Sequence, residues 1–164
     1  MPDFVPPVTD ERQALLAYLA KQREGLLATT KGLTDEQLTL APTVSDLSLA
    51  GLLKHAVRTE RRWIVAGLAG RPLPDLWPIT GWDREFVPDE DVTGLRVAYA
   101  EAARETEEIV GALPSLDEPC RLPDARQWSA RWVLLHLITE TAHHLGHADI
   151  VRESIDGAKA ADLS

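Results

Sequence analysis

Four histidines, His136, His143, His144 and His147, fall within one stretch of twelve residues, and the fifth, His55, stands far upstream. Imidazole is a common metal ligand and a proton carrier near neutral pH. Glu140 lies inside the same stretch. His136 and Glu140, Glu140 and His144, and His143 and His147 are each four residues apart, so on a helix each pair shares a face. At about 100° per residue the four histidines and Glu140 fall in an arc of roughly 100°. Trp132, Thr139 and Ile150 flank that arc, which predicts an inward face or its edge. Several imidazoles and a carboxylate turned toward a helical interior are costly without partners, and one divalent ion supplies a partner to all of them.

Spacing alone does not choose the ligands. His143 and His144 diverge by about 100° and are not expected to share one ion. His136 also fits a core hydrogen bond, and Glu140 an arginine partner. A ligand from a second element has a single histidine to draw on, His55, at the edge of a stripe made by Leu52, Ala56 and Trp63. A lone histidine there is ordinarily structural, but the cluster on the last helix favours the metal. Cys120 is the only cysteine, so an intrachain disulfide and a thiolate metal cage are excluded. It falls in a predicted loop and is expected to be incidental.

The elements that must position these residues read as helices nearly throughout. Thr9 caps a predicted first helix from about Asp10 to Lys31, striped by Leu15, Leu16, Leu19, Leu26 and Leu27, with Gly32 as its stop. A short capped turn covers residues 33–38. Ser45 or Ser48 opens a second helix running to about Leu68, before Gly70 and Pro72. Residues 71–90, with four prolines, Trp77 and Trp82, form a long loop, of the kind that is usually functional. A third helix spans about Asp91 to Leu113, and a second loop follows. Ser129 caps a fourth helix, apolar all round at its start and so expected to be well buried there, which runs through the histidines to Asp156-Gly157. No strand alternation or repeat is visible. The expectation is an all-α four-helix bundle with long connecting loops, residues 1–164 forming one domain.

Composition narrows the partners. With 17 Lys+Arg against 26 Asp+Glu the net charge is −9, which disfavours nucleic acid and anionic membranes alike. Hydrophobic residues, at 45%, suffice for a core. No leader or spanning segment is visible, and a soluble cytoplasmic protein is expected.

Two stretches carry a resemblance: Trp132–Glu153, WVLLHLITETAHHLGHADIVRE, and Leu52–Trp63, LLKHAVRTERRW. Here the chain resembles the DinB/YfiT-like superfamily of metal-binding four-helix bundles, especially small actinobacterial-type members. It is also similar to the N-terminal domain of mycothiol-dependent maleylpyruvate isomerases. The resemblance implies a divalent metal held by one residue of the second helix and two of the last: His55, Glu140 and His144. It implies that His147 touches a ligand or serves as an occasional additional one, and that His143 is not a ligand; His136 is expected to be structural or to support a ligand. Two imidazoles and a carboxylate suit Zn²⁺, with Ni²⁺ or Fe²⁺ tolerated. Characterised relatives join a low-molecular-weight thiol, such as mycothiol or bacillithiol, to a small electrophile. The implied function is therefore a metal-dependent thiol S-transferase or related detoxification enzyme. The alternative is a non-catalytic metal- or small-molecule-binding stress protein. A homodimer is implied as well. The isomerases' additional C-terminal domain has no counterpart before Ser164, so maleylpyruvate isomerisation is not expected. Trp63, Trp77 and Trp82 are candidates for the site's mouth, with core packing favoured for Trp63 and Trp132. Arg62, Arg84 and Arg152 are candidate contacts for an anionic substrate, weighed against simple solvation.

Overall fold

In the computed structural model, residues 4–163 are described, and they form helices and loops with a single isolated bridge between Pro119 and Ser129. The helices are α1 (Glu11–Ala28), α2 (Asp35–Thr39), α3 (Leu49–Arg61), α4 (Val92–Ala112), α5 (Ala130–Asp156) and α6 (Ala160–Leu163). α3 runs on without a break into a π-helical segment, Arg62–Leu68, and single 3₁₀ turns lie at Trp82–Arg84 and Pro123–Ala125. The expected all-α bundle is thus the observed one, built from α1, α3 with its extension, α4 and α5. None of its described helices is long and apolar enough to cross a membrane.

Short polar side chains start the helices where a backbone donor would otherwise be orphaned. Asp10, rather than Thr9, accepts from Gln13 N and caps α1. Ser48, rather than Ser45, caps α3, Asp91 caps α4 and Ser129 caps α5. α5 ends where predicted, on Gly157 in the left-handed conformation (φ 78°). Two details lie beyond the sequence reading: the second helix changes to π geometry at Arg62, and a short α6 follows the last long helix.

Two apolar clusters fill the bundle. One gathers Leu19, Ile64, Val65, Leu68, Ile109, Val110, Val133, Leu134 and Leu137. The other gathers Leu26, Leu49, Leu52, Leu53, Val57, Tyr99, Ala148 and Val151. Between them, on all four helices, the chain places polar side chains. Arg23 of α1 donates a two-pronged hydrogen bond to Glu60 of α3, and Thr106 of α4 donates to the same carboxylate at 2.6 Å. His55 and Thr59 of α3 and Glu140, Thr141 and His144 of α5 lie at this same waist.

Several expectations are corrected. The start of α5 is not buried all round, with Leu135 49% and Trp132 38% exposed, and Ile150, toward the other end of the helix, is 60% exposed. The inward side of α5 is instead Val133, Leu134, Leu137, Thr141, Ala148 and Val151. Trp132 is therefore a surface ring stacked on Trp128 and His136, not a core residue. Arg62 and Arg152 are buried and fully engaged inside the protein. Arg152 binds Asp156 and the carbonyls of Thr29 and Lys31, and Arg62 binds Leu76 O and Glu85. Neither is free to meet a substrate. Arg84 is exposed and paired with Asp89.

Candidate metal centre

Helix periodicity brings Glu140 and His144, one turn apart on α5, to the α3–α5 seam, where His55 faces them. Glu140 Oε2 lies 3.4 Å from His144 Nε2 and 3.6 Å from His55 Nε2. One ligand atom from each of the three residues lies within 4.8 Å of the others, a group able to hold a metal ion. Ligand bonds of about 2.0–2.1 Å at a tetrahedral angle set donors roughly 3.3–3.4 Å apart. The two carboxylate–imidazole separations are close to that spacing, and longer than a direct charge-assisted hydrogen bond of about 2.7–2.9 Å. A cavity of about 10 Å³ opens among His55, Ala56, Thr59, Leu137, Glu140, Thr141 and His144, enough for one water-sized sphere. Donor chemistry, spacing and cavity all fit a small divalent cation.

The electrostatics fit as well. Burial pushes the His55 imidazolium below the ordinary histidine range, against the pull of Glu85 and Glu140. Burial, reinforced by the nearby His55, pushes His144 down to about 4. Both rings are therefore neutral at pH 7, the state a metal requires. Glu140 is about one-third exposed, so the three donors are reached from solvent along α5, whereas His55 is almost fully enclosed.

The remaining histidines separate by position. His147 does not join the converging donors; its Nδ1 stands 3.4 Å from Nδ1 of His144, at the back of that ring. His143 is exposed and meets His144 and His147 edge-on. His136 packs between Trp63 and Trp132. Trp63 is the hub of the aromatic group, touching Trp77, Trp128, Trp132 and His136 one turn before Glu140. Trp82, by contrast, is 67% exposed and outside this group. Cys120 is buried and burial pushes its thiol up to about 11, so it is no nucleophile at neutral pH.

Two residues of the 71–90 loop that the sequence did not single out reach the site. Phe86 stacks on the His55 ring, centroids 4.3 Å apart and planes at 26°. Glu85, buried at 2% exposure, places Oε2 3.4 Å from His55 Nδ1. A signal for this was present in α3: Gly51, Lys54, His55, Arg58 and Arg62 recur at helical spacing on one face, too polar a stripe for a plain core.

The sequence profile of the mycothiol-S-transferase family matches residues 14–157. The chain belongs to that family. The mycothiol-S-transferase family is DinB-like, in keeping with the resemblance carried by the second and last helices. Among solved structures, a conserved protein from Enterococcus faecalis superposes with a TM-score of 0.72 at 17% identity, over 92% of this chain and 100% of that one. At that identity the likeness is one of fold. No curated protein matches the chain.

Proposed function

We propose that this member of the mycothiol-S-transferase family is a divalent-metal-dependent S-transferase. His55, Glu140 and His144 hold the ion, zinc first, and a low-molecular-weight thiol of the mycothiol type is joined to a small electrophile. The observation that carries this reading is the meeting of two neutral imidazoles and one carboxylate at a solvent-reached opening, in a chain of that family. A divalent ion bound in an open three-ligand site supplies Lewis acidity that lowers the pKa of a thiol or water beside it.

The chain's own residues do the rest. His55 and His144 are kept neutral by burial and so stay available as donors at working pH. Glu140 adds a carboxylate oxygen to the two imidazoles, offsetting part of a divalent ion's charge. Phe86 closes the His55 side to water, leaving approach from the α5 face. The tryptophan group beside His136 offers an apolar surface for the electrophile. The thiol's sulfur forms the new bond, its proton passes to solvent, and the electrophile's leaving group departs with the bonding pair. No protein thiol takes part, since Cys120 is enclosed and its ionisation is suppressed. A cytoplasmic setting, where low-molecular-weight thiols are kept reduced, suits this chemistry.

The test is conjugation of a panel of electrophiles by untagged protein, with mycothiol, bacillithiol and glutathione compared. Metal-dependent conjugation that is strongest with mycothiol and abolished in His55→Ala is the expected result. Stoichiometric metal without conjugation to any electrophile would instead make the protein a metal- or small-molecule-binding stress protein.

A further inference from the structure

We propose that Glu85 is the positioning residue for His55: it is the acceptor that keeps the proton on Nδ1 and so leaves the Nε2 lone pair to face Glu140 and His144. This rests on the metal-centre reading, and it assigns a role to the long loop that the three ligands do not explain.

The geometry begins with an orphan. His55 Nδ1 is buried and makes no hydrogen bond, and the carboxylate it faces is Glu85 at 3.4 Å. A neutral imidazole carries one proton, and whichever nitrogen faces the better acceptor keeps it. Nε2 faces the Glu140 carboxylate at 3.6 Å and the Thr59 hydroxyl at 3.4 Å, and that hydroxyl can donate to a bare Nε2; the nearer, more deeply buried Glu85 behind Nδ1 therefore selects the tautomer whose Nε2 lone pair points to the seam. Phe86, stacked on the same ring, fixes its plane. The loop thus controls both the orientation and the tautomer of one imidazole through two consecutive residues.

Glu85 is itself held as an anion. Arg62 donates to both oxygens at 3.0 Å, and Arg58 approaches Oε1 at 3.4 Å. Oε1 is the more heavily occupied oxygen, and Oε2 is the one turned to His55. A buried ion pair is a poor stabiliser in its own right, because desolvation offsets its attraction. Its geometry here serves another end.

The loop that carries Glu85 is fastened to α3 along one helix face. Lys54 donates to the carbonyls of Arg84 and Val87 and to Asp89. Arg62 donates to Leu76 O at 2.9 Å. At Gly51 the backbone comes so close that a Cβ would stand 2.1 Å from Phe86 O. These fastenings flank His55, Gly51 one turn before it and Arg62 two turns after, so the loop's register against the ring is determined.

Glu85→Gln tests the assignment. With two guanidinium groups at Oε1, the amide oxygen takes that position and the NH₂ group turns to His55 Nδ1, reversing the proton preference. Nitrogen-15 NMR of the metal-free wild type at pH 7.5 is expected to show the Nδ1–H tautomer of His55, and Glu85→Gln a shift toward Nε2–H. Zinc titration against a competing chelator is expected to show a 10- to 100-fold loss of affinity with all three donors in place. An Arg62→Met/Glu85→Leu double variant, which leaves neither charge buried alone, should lose zinc affinity to a similar degree if the single variant does not fold. An Nε2–H tautomer in the wild type, or wild-type zinc affinity in either folded variant, would overturn the role of Glu85. A wild type that binds no zinc would instead remove the metal centre, and the tautomer result would still decide on Glu85.

Discussion

Glu140 Oε2 and His55 Nε2 face each other at 3.6 Å across the seam between α5 and α3, with His144 Nε2 one helical turn away. Helix packing brings the two side chains together, and that packing is secured by an apolar cluster on either side of the waist. Bound metal should therefore clamp α3 to α5. At a free concentration 100 times Kd, one ion adds about 2.7 kcal/mol. For a chain of this size that raises Tm by roughly 5–11 °C. Thermal melts with and without a chelator should show this gain in wild type and His143→Ala, and its loss in His144→Ala.

Stability of the metal-free protein should fall as pH drops from about 6.5 toward 4. His144 is pushed from 6.5 down to about 4 by burial and the neighbouring His55, and burial also lowers His55 and His136. Between those limits the unfolded chain binds protons that the folded chain refuses, so acid favours unfolding. Urea midpoints across pH 7 to 4 should trace this decline, with a shallower slope in His144→Gln. An equal slope in that variant would place the effect elsewhere.

Cys120 should be inert. The buried thiol, its pKa raised to about 11, is expected to resist a thiol-specific reagent in the native protein and to react once urea unfolds it. Cys120→Ala should keep full conjugating activity, because the reacting sulfur arrives with the thiol substrate. Loss of activity in a folded Cys120→Ala would count against a borrowed nucleophile.

The Arg23–Glu60 pair, joined by Thr106, crosses the waist as a buried ion pair. Glu60→Ala leaves a buried guanidinium unpaired and should cost about 3–5 kcal/mol by urea unfolding. Arg23→Leu/Glu60→Leu should recover most of that loss, since the uncompensated charge goes with its partner.

The parts legible in the sequence were those governed by local rules. The helix count, the caps at Ser48 and Ser129 and the glycine stop at Gly157 follow from capping chemistry and periodicity. The i, i+4 pair Glu140–His144 is fixed by helix geometry alone, and the resemblance supplied His55 as its partner. The parts that were not legible depend on long-range fit. Arg62 and Arg152 read as surface charges because most arginines are; here tertiary packing supplies each with a buried carboxylate or carbonyls. Glu85 and Phe86 sit in a loop without periodicity, and their register against His55 is set by long-range contacts, the close approach at Gly51 and the hydrogen bonds of Lys54 and Arg62. Trp132 reads as core because its neighbours in sequence are apolar, yet its ring lies at the surface, 38% exposed, beside Trp63, Trp128 and His136.

The most direct measurement is anomalous scattering from crystals of untagged protein grown with zinc, with data collected on both sides of the zinc edge. One peak bonded to His55 Nε2, a Glu140 oxygen and His144 Nε2 is the predicted result. A peak on His143 and His147, or no ordered peak at the α3–α5 seam at saturating zinc, would contradict the metal centre.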